Sequence, residues 1–275
     1  MLDDLFERAG ELGRIDGLLD GARAGTGGVL VVTGPAGIGK SSLLSEARER
    51  AGLAGMRVLS GRGGKLEGGF SFGVARQLFE PLLAAAAGAE RAALLAGAAR
   101  RAPTAMEDAA GAAPSAAAVG DPPFAVVHGL YWLAVNASEA GPVLVAIDDL
   151  HRADQASLRF VLYLADRLAG LPVALLLAGR TGEVMAAEAA DCLARLEQIA
   201  GSVVSPGALS REAMRPPGVS CRPPRRPMRR CISSALVAAG APHSRSRPKT
   251  PATRCEWQTV NSKQHDATDR SVRLG

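Results

Sequence analysis

Eight residues constrain this chain more than any other feature. Gly34-Pro-Ala-Gly-Ile-Gly39-Lys40-Ser41 lies between a short apolar run, Gly28-Val-Leu-Val-Val-Thr33, and a helical pattern from Ser41 to Ala51. A strand that breaks into a glycine-rich turn and restarts as a helix points backbone N–H groups at one spot, because glycine accepts the positive φ angles that curl a chain inward. The helix adds its own unpaired first-turn N–H groups and the positive end of its dipole. The result is a cradle for an anion, and the spacing G-x-x-x-x-G-K-S is that of a phosphate loop. Gly34, Pro35, Ala36, Gly37, Ile38 and Gly39, with Ser42 in the first helical turn, form the cradle. Lys40 brings a point charge for β- and γ-phosphates, and the Ser41 hydroxyl suits Mg²⁺. A dinucleotide fingerprint is excluded, since the third glycine of G-x-G-x-x-G after Gly37 and Gly39 falls on Ser42.

Four further apolar runs follow: Arg57–Ser60, Val143–Ile147, Val173–Ala178 and the weak Ser202–Ser205. The stronger ones are continuous rather than alternating, as in parallel strands covered on both faces. Helical patterns separate them. Phe124–Leu133 follows Pro122 and Pro123, a pair suited to a helix start. Asp154 is an expected N-cap for a helix over 155–169, with Gly170 at the position after its end. In the Ala/Gly-rich stretch 83–120, alanine content predicts a helix over Ala84–Arg101 and a mobile loop over Met106–Gly120. The expected fold is α/β: a mostly parallel five-stranded sheet flanked by helices.

Metal-assisted phosphate chemistry needs a carboxylate at the end of a neighbouring strand. Val143-Leu-Val-Ala-Ile147 delivers two, Asp148 and Asp149, to the carboxyl edge where ligands bind in open α/β sheets. Asp148 is the candidate for holding Mg²⁺, and Asp149 for orienting or deprotonating an attacking water. Arg180 ends the next apolar run, placed to sense a γ-phosphate. His151 is more simply structural than catalytic, and His128 reads as a core or boundary residue. Gly69-Phe-Ser71-Phe-Gly73 fits G-x-S-x-G, but no apolar strand precedes Ser71, so a hydrolase is not expected.

Charge divides the 275 residues in two. Residues 1–210 hold 18 Lys+Arg against 23 Asp+Glu, while 211–275 hold 14 against 4, together with eight of the 17 prolines. This end includes Arg222-Pro-Pro-Arg-Arg-Pro-Met-Arg-Arg230, without apolar periodicity, so a disordered basic tail is expected. Such an arm suits weak, nonspecific nucleic-acid binding and carries no recognition-helix pattern for specific DNA readout. Cys221, Cys231 and Cys255 lack metal-ligand spacing. The abrupt change to Arg, Pro, Ser and Cys is what a shifted reading frame in a GC-rich gene produces. An apolar content of 47% excludes wholesale disorder. With no apolar run near the ~18–20 residues of a membrane span and no signal-peptide pattern, the expectation is cytoplasmic and membrane-free.

The segments Glu7–Asp16, Gly34–Ser41, Phe72–Pro81, Asp121–Trp132 and Ile147-Asp-Asp-Leu-His-Arg-Ala-Asp154 together resemble the nucleotide-binding domain of large LuxR-type transcriptional regulators, in the STAND branch of AAA-like P-loop ATPases. The resemblance spans about 1–210. It implies an ATP-driven switch with slow hydrolysis, in which Lys40 and Ser41 bind phosphate and Mg²⁺, Asp148 is the Walker B acid and Arg180 resembles the sensor arginine. Two departures stand out. Arg152 occupies a position that is usually tryptophan, and nothing in 211–275 resembles the family's helical lid. The implied partners are ATP or ADP, with self-association allowed. Two other functions fit fewer features: a P-loop kinase acting on a small acceptor, and a nucleic-acid-binding protein working through its basic tail.

Overall fold

The computed structural model describes residues 7–64, 71–107, 124–181 and 186–208. All of these fall in the first of the chain's two units, 1–219; the second unit, 220–275, lies outside them. The expectations of a disordered tail and a shifted reading frame therefore also lie outside the described residues.

All five apolar runs form strands: β1 (Gly28–Gly34), β2 (Arg57–Arg62), β3 (Val143–Asp148), β4 (Val173–Arg180) and the two-residue β5 (Val203–Val204). They pair in parallel in the order β2-β3-β4-β1-β5. The helices are α1 (Ala9–Arg23), α2 (Lys40–Leu53), α3 (Gly73–Ala85), α4 (Gly88–Leu94), α5 (Thr104–Glu107), α6 (Phe124–Glu139), α7 (Gln155–Ala165) and α8 (Ala187–Ala200). This is the α/β P-loop NTPase fold.

Continuous apolarity in the strands has the expected cause, because alternate residues feed two cores. Leu30, Val32, Leu144, Ala146, Ala174, Leu176 and Ala178 pack with Ile15 and Leu19 of α1 and Leu43, Leu44 and Ala47 of α2. Val31, Val145, Ile147, Leu175 and Leu177 face the other way, onto Leu78 and Phe79 of α3, Leu130 of α6, Phe160 and Val161 of α7 and Leu196 of α8. Each face thus hides a row of valine, isoleucine, leucine and alanine side chains, the larger of them at roughly 1.5–3 kcal/mol apiece. Gly17, on the exposed side of α1, has open space where a Cβ would go. Gly17→Ala is expected to raise stability by about 0.5–1 kcal/mol in chemical denaturation; an unchanged midpoint would contradict this placement.

Four expectations need correction. The strand bearing Asp148 is not a hydrogen-bonded neighbour of the loop strand: β4 runs between β3 and β1, so the direct neighbour of Gly34 is Arg180. No continuous helix covers Ala84–Arg101. The chain turns extended at Ala86 and Ala87, and positive φ at Gly88 and Gly97 divides it into the end of α3, α4 and a 3-10 turn over Gly97–Arg101. Alanine propensity, at tenths of a kcal/mol per residue, yields to these two left-handed glycines. The first two residues of the predicted loop, Met106 and Glu107, complete a helical turn over Thr104–Glu107, while 108–120 lies outside the described residues. Finally, α7 ends at Ala165, and Gly170 takes its positive φ in the turn that enters β4 rather than at the helix end.

The predicted N-cap Asp154 does more than cap α7. Its Oδ1 accepts from Ser157 N at 2.8 Å and also from Phe72 N at 2.8 Å. Ser157 Oγ in turn accepts from Val74 N (3.1 Å) and Ala75 N (3.3 Å). Two buried side chains, the cap of α7 and one in its first turn, therefore satisfy the amino end of α3 as well as their own. Phe72 at that junction has a φ of 63°, an uncommon angle for an aromatic residue, fixed by this bonding.

Candidate functional site

Gly34 closes β1 and sits in register with Arg180 of β4. Beyond it, Gly37 and Gly39 take φ angles of +78° and +97°, which is what curls the loop. Gly39 is the N-cap of α2 and no side chain caps that helix, so its first-turn N–H groups remain available to a ligand. A Cβ built on Gly37 meets nothing within 4 Å, so the hollow is open there. Lys40 is buried, with Nζ donating to the carbonyls of Gly34 and Pro35, both at 2.8 Å. The ammonium group braces the loop from within. Arg8 braces it from outside: it is buried and donates to Ile38 O (3.0 Å), Gly207 O (2.7 Å) and Glu11 Oε1 (2.9 Å). Arg8 lies in a segment that the sequence marks only by resemblance, and its task was not read from it.

Asp148 ends β3, and Ser41 Oγ donates to its Oδ2 at 2.7 Å. Although two strands away, the acid meets the loop because α2 carries Ser41 across the top of β4. Asp148 Oδ1 accepts from Asp149 N at 2.9 Å, which fixes the carboxylate's orientation. A hydroxyl and a carboxylate in contact at the rim of an uncapped helix end are the donor set a divalent cation uses, so these residues fit Mg²⁺.

Asp149 lies in the left-handed region (φ 48°) and is buried. Its Oδ2 accepts from Arg62 Nε (3.0 Å) and Nη2 (2.7 Å), and its Oδ1 lies 3.4 Å from Arg180 Nε. Burial pushes this carboxyl up. The Arg62 hydrogen bonds and the charges of Arg62, Arg180 and His151 outweigh it and hold the carboxyl below the usual range. Asp149 is therefore ionised, but both oxygens face arginines, and Arg180 reaches the site edge through Asp149. His151, on a 3-10 turn over Leu150–Arg152, is buried beside them.

Arg62 is the member of this ionic cluster that the sequence did not single out. It ends β2 in register with Asp148, so the carboxyl edge reads Arg62, Asp148, Arg180 and Gly34 across four strands. A strand-terminal cation between two glycines, Gly61 and Gly63, was the available signal. Its backbone is held by Gln77 of α3: Arg62 N donates to Oε1 (2.9 Å), and Nε2 donates to Arg62 O (3.0 Å). The carboxamide thereby replaces the neighbouring strand that an edge lacks. Ser42 is exposed on the first turn of α2, beside Ser41.

Among solved structures, the chain is similar to the ORC2 protein of Aeropyrum pernix, determined as ADPNP–ADP complexes, at 16% identity over 77% of this chain and 50% of that one, with a TM-score of 0.44. It is similar also to Cdc6p of Pyrobaculum aerophilum, at 15% identity over 77% of this chain and 48% of that one, with a TM-score of 0.47. The chain thus spans about half the length of these two proteins. No curated protein matches it. The family described as the AAA ATPase domain matches residues 4–177, from just before α1 into β4 and so across the phosphate loop and both acids. That match takes in more than half of the 275 residues, and the chain belongs to the AAA ATPase domain family.

Proposed function

We propose that this chain is the nucleotide switch of a LuxR-type transcriptional regulator: it binds ATP with Mg²⁺ and hydrolyses it slowly. The observation that carries the reading is the Ser41–Asp148 hydrogen bond of 2.7 Å, which joins the phosphate loop to the strand-end acid. In this reading Gly34 to Gly39 and the first-turn N–H groups through Ser42 hold the phosphates, Lys40 neutralises them, and Ser41 and Asp148 hold the cation. Mg²⁺, when bound, withdraws charge from the β- and γ-phosphates. In this reading Arg180, which ends the strand next to Gly34 and pairs with Asp149, senses the γ-phosphate. Asp149, as the group that orients water, must first part from an arginine, and this supports slow rather than rapid turnover. The regulator reading rests on the resemblance carried by Asp148-Asp149-Leu-His151-Arg-Ala-Asp154, a segment in which Asp148, Asp149 and Asp154 each have a bonding task in the fold. Among the described residues no helix is long and apolar enough to cross a membrane.

The test is ATP affinity and turnover of the full chain with and without Mg²⁺. Mg²⁺ is expected to tighten binding, and Ser41→Ala to remove roughly tenfold of that gain, the worth of one charge-assisted contact. Turnover is expected at roughly 10⁻⁴–10⁻² s⁻¹, the range of nucleotide switches. Binding indifferent to Mg²⁺ would sink the metal site. Phosphate transfer to a small acceptor at about 1 s⁻¹ or faster would favour the kinase reading instead.

A further inference from the structure

A cavity of about 300 Å³ lies between α2 and the last turns of β2 and β3. Ser41 and Asp148 form its inner wall, shared with the phosphate site; Arg48, Ser60, Arg62 and Gln77 form the rest of its polar lining. Sheet order puts this outer wall on the far side of β3 from Gly34, so the cavity adjoins the phosphate loop without being part of it. Ser41, Leu44 and Arg48 recur at helical spacing and turn one face of α2 toward it.

Arg48 is exposed and makes no hydrogen bond or ion pair among the described residues, while nearby Glu46 and Asp16 are both taken by Arg50. Arg62 uses Nε and Nη2 on Asp149, which leaves Nη1 over, and its side chain is 64% exposed even while paired. The exposed guanidinium can swing toward a ligand without unpacking, while the buried Asp149 retains Arg180 as a second cation. With Asp148 committed to a cation, the remaining ionic groups of the cavity are two guanidinium forks, the shape that grips a phosphate or a carboxylate in two-pronged fashion.

We propose that this cavity is a second anion site, which takes a small metabolite bearing a phosphate or carboxylate group between Arg48 and Arg62 and thereby draws Arg62 off Asp149. Asp149 keeps Arg180, and its Oδ2 becomes available to a water next to the cation. Turnover then reports the concentration of the anion. The binding half of this inference stands on the cavity alone; the coupling to hydrolysis rests on the proposed ATP site.

The experiment uses the full chain saturated with Mg-ADP, so that the phosphate loop is filled, and titrates glycerol 3-phosphate and succinate separately by calorimetry at constant ionic strength. Saturable binding tighter than about 10 mM is expected for at least one probe, and which probe binds tells phosphate from carboxylate chemistry. Arg48→Gln and Arg62→Gln should each weaken it by roughly tenfold or more, whereas Lys40→Ala should leave it in place. The bound probe should raise ATP turnover several-fold in the parent protein and not in Arg48→Gln. No saturation by either probe overturns the site, as does binding unchanged in both arginine variants or lost only in Lys40→Ala. Binding that leaves turnover unmoved overturns the coupling through Asp149. A chain that fails to bind ADP, measured first, defeats the ATP reading, and the comparison with Lys40→Ala still decides the anion site.

Discussion

Lys40→Ala is expected to weaken Mg-ATP binding by about 30- to 150-fold, measured by calorimetry on the full chain. The figure corresponds to about 2–3 kcal/mol, below the ~4 kcal/mol between unit charges 4 Å apart at an effective dielectric constant of 20. Part of that interaction is offset in advance, because Nζ already donates to Gly34 O and Pro35 O and must loosen those bonds to face a phosphate. The variant should stay folded, since the two carbonyls lie on a loop that water can reach once the side chain is gone. Equal affinity in the two proteins would remove the phosphate loop from the proposed function. A fall in affinity matched by a fall in melting temperature would mean that the brace, rather than the charge, was lost.

Gly63→Ala should be the most destabilising small change at the site. A Cβ there would lie 2.3 Å from Asp149 O, 2.8 Å from Ala153 N and 2.9 Å from Arg152 C, all of them backbone atoms that no side-chain rotation can clear. The neighbouring turn carries Asp149, so relief of the clash must move the acid or the end of β2. Overpacking of this kind costs about 3 kcal/mol or more, which for a domain of this size is roughly 6–12 °C in melting temperature. Gly63→Ala should also lower nucleotide turnover, whereas Gly17→Ala, where a Cβ meets nothing, serves as the contrast. A Gly63→Ala protein as stable as the parent would mean that β2 and the turn after Asp149 are less closely seated than described.

What the sequence disclosed was local and periodic. The phosphate loop, the five strands, the Asp154 cap and the two-sided sheet all follow from runs of adjacent residues whose chemistry does not depend on distant partners. Strand order is different in kind. Nothing in Val143–Asp148 says that Val173–Arg180 will insert between it and β1, since that depends on how distant helices pack across both faces of the sheet. Asp148 was found because it ends an apolar run; that Ser41 would reach it depended on the path of α2. Arg62 was missed because one arginine between two glycines looks like a solvated strand end, and only the register with Asp148 gives it a partner. Alanine-rich 84–101 misled for the opposite reason: average propensity was read where two single glycines set the path.

The bonds around Asp149 have a mechanical meaning. Its side chain holds Arg62; the backbone of Arg62 holds Gln77; α3, which carries Gln77, is held by Asp154 and Ser157; and those two follow Asp149 along the chain by a few residues. The contacts return to their starting point and form a closed linkage. The exposed Arg62 side chain is the one joint that can open by rotation alone, while Gln77 keeps the end of β2 seated on α3. A ligand that takes the arginine would thus free the acid and leave the rest of the ring of contacts standing.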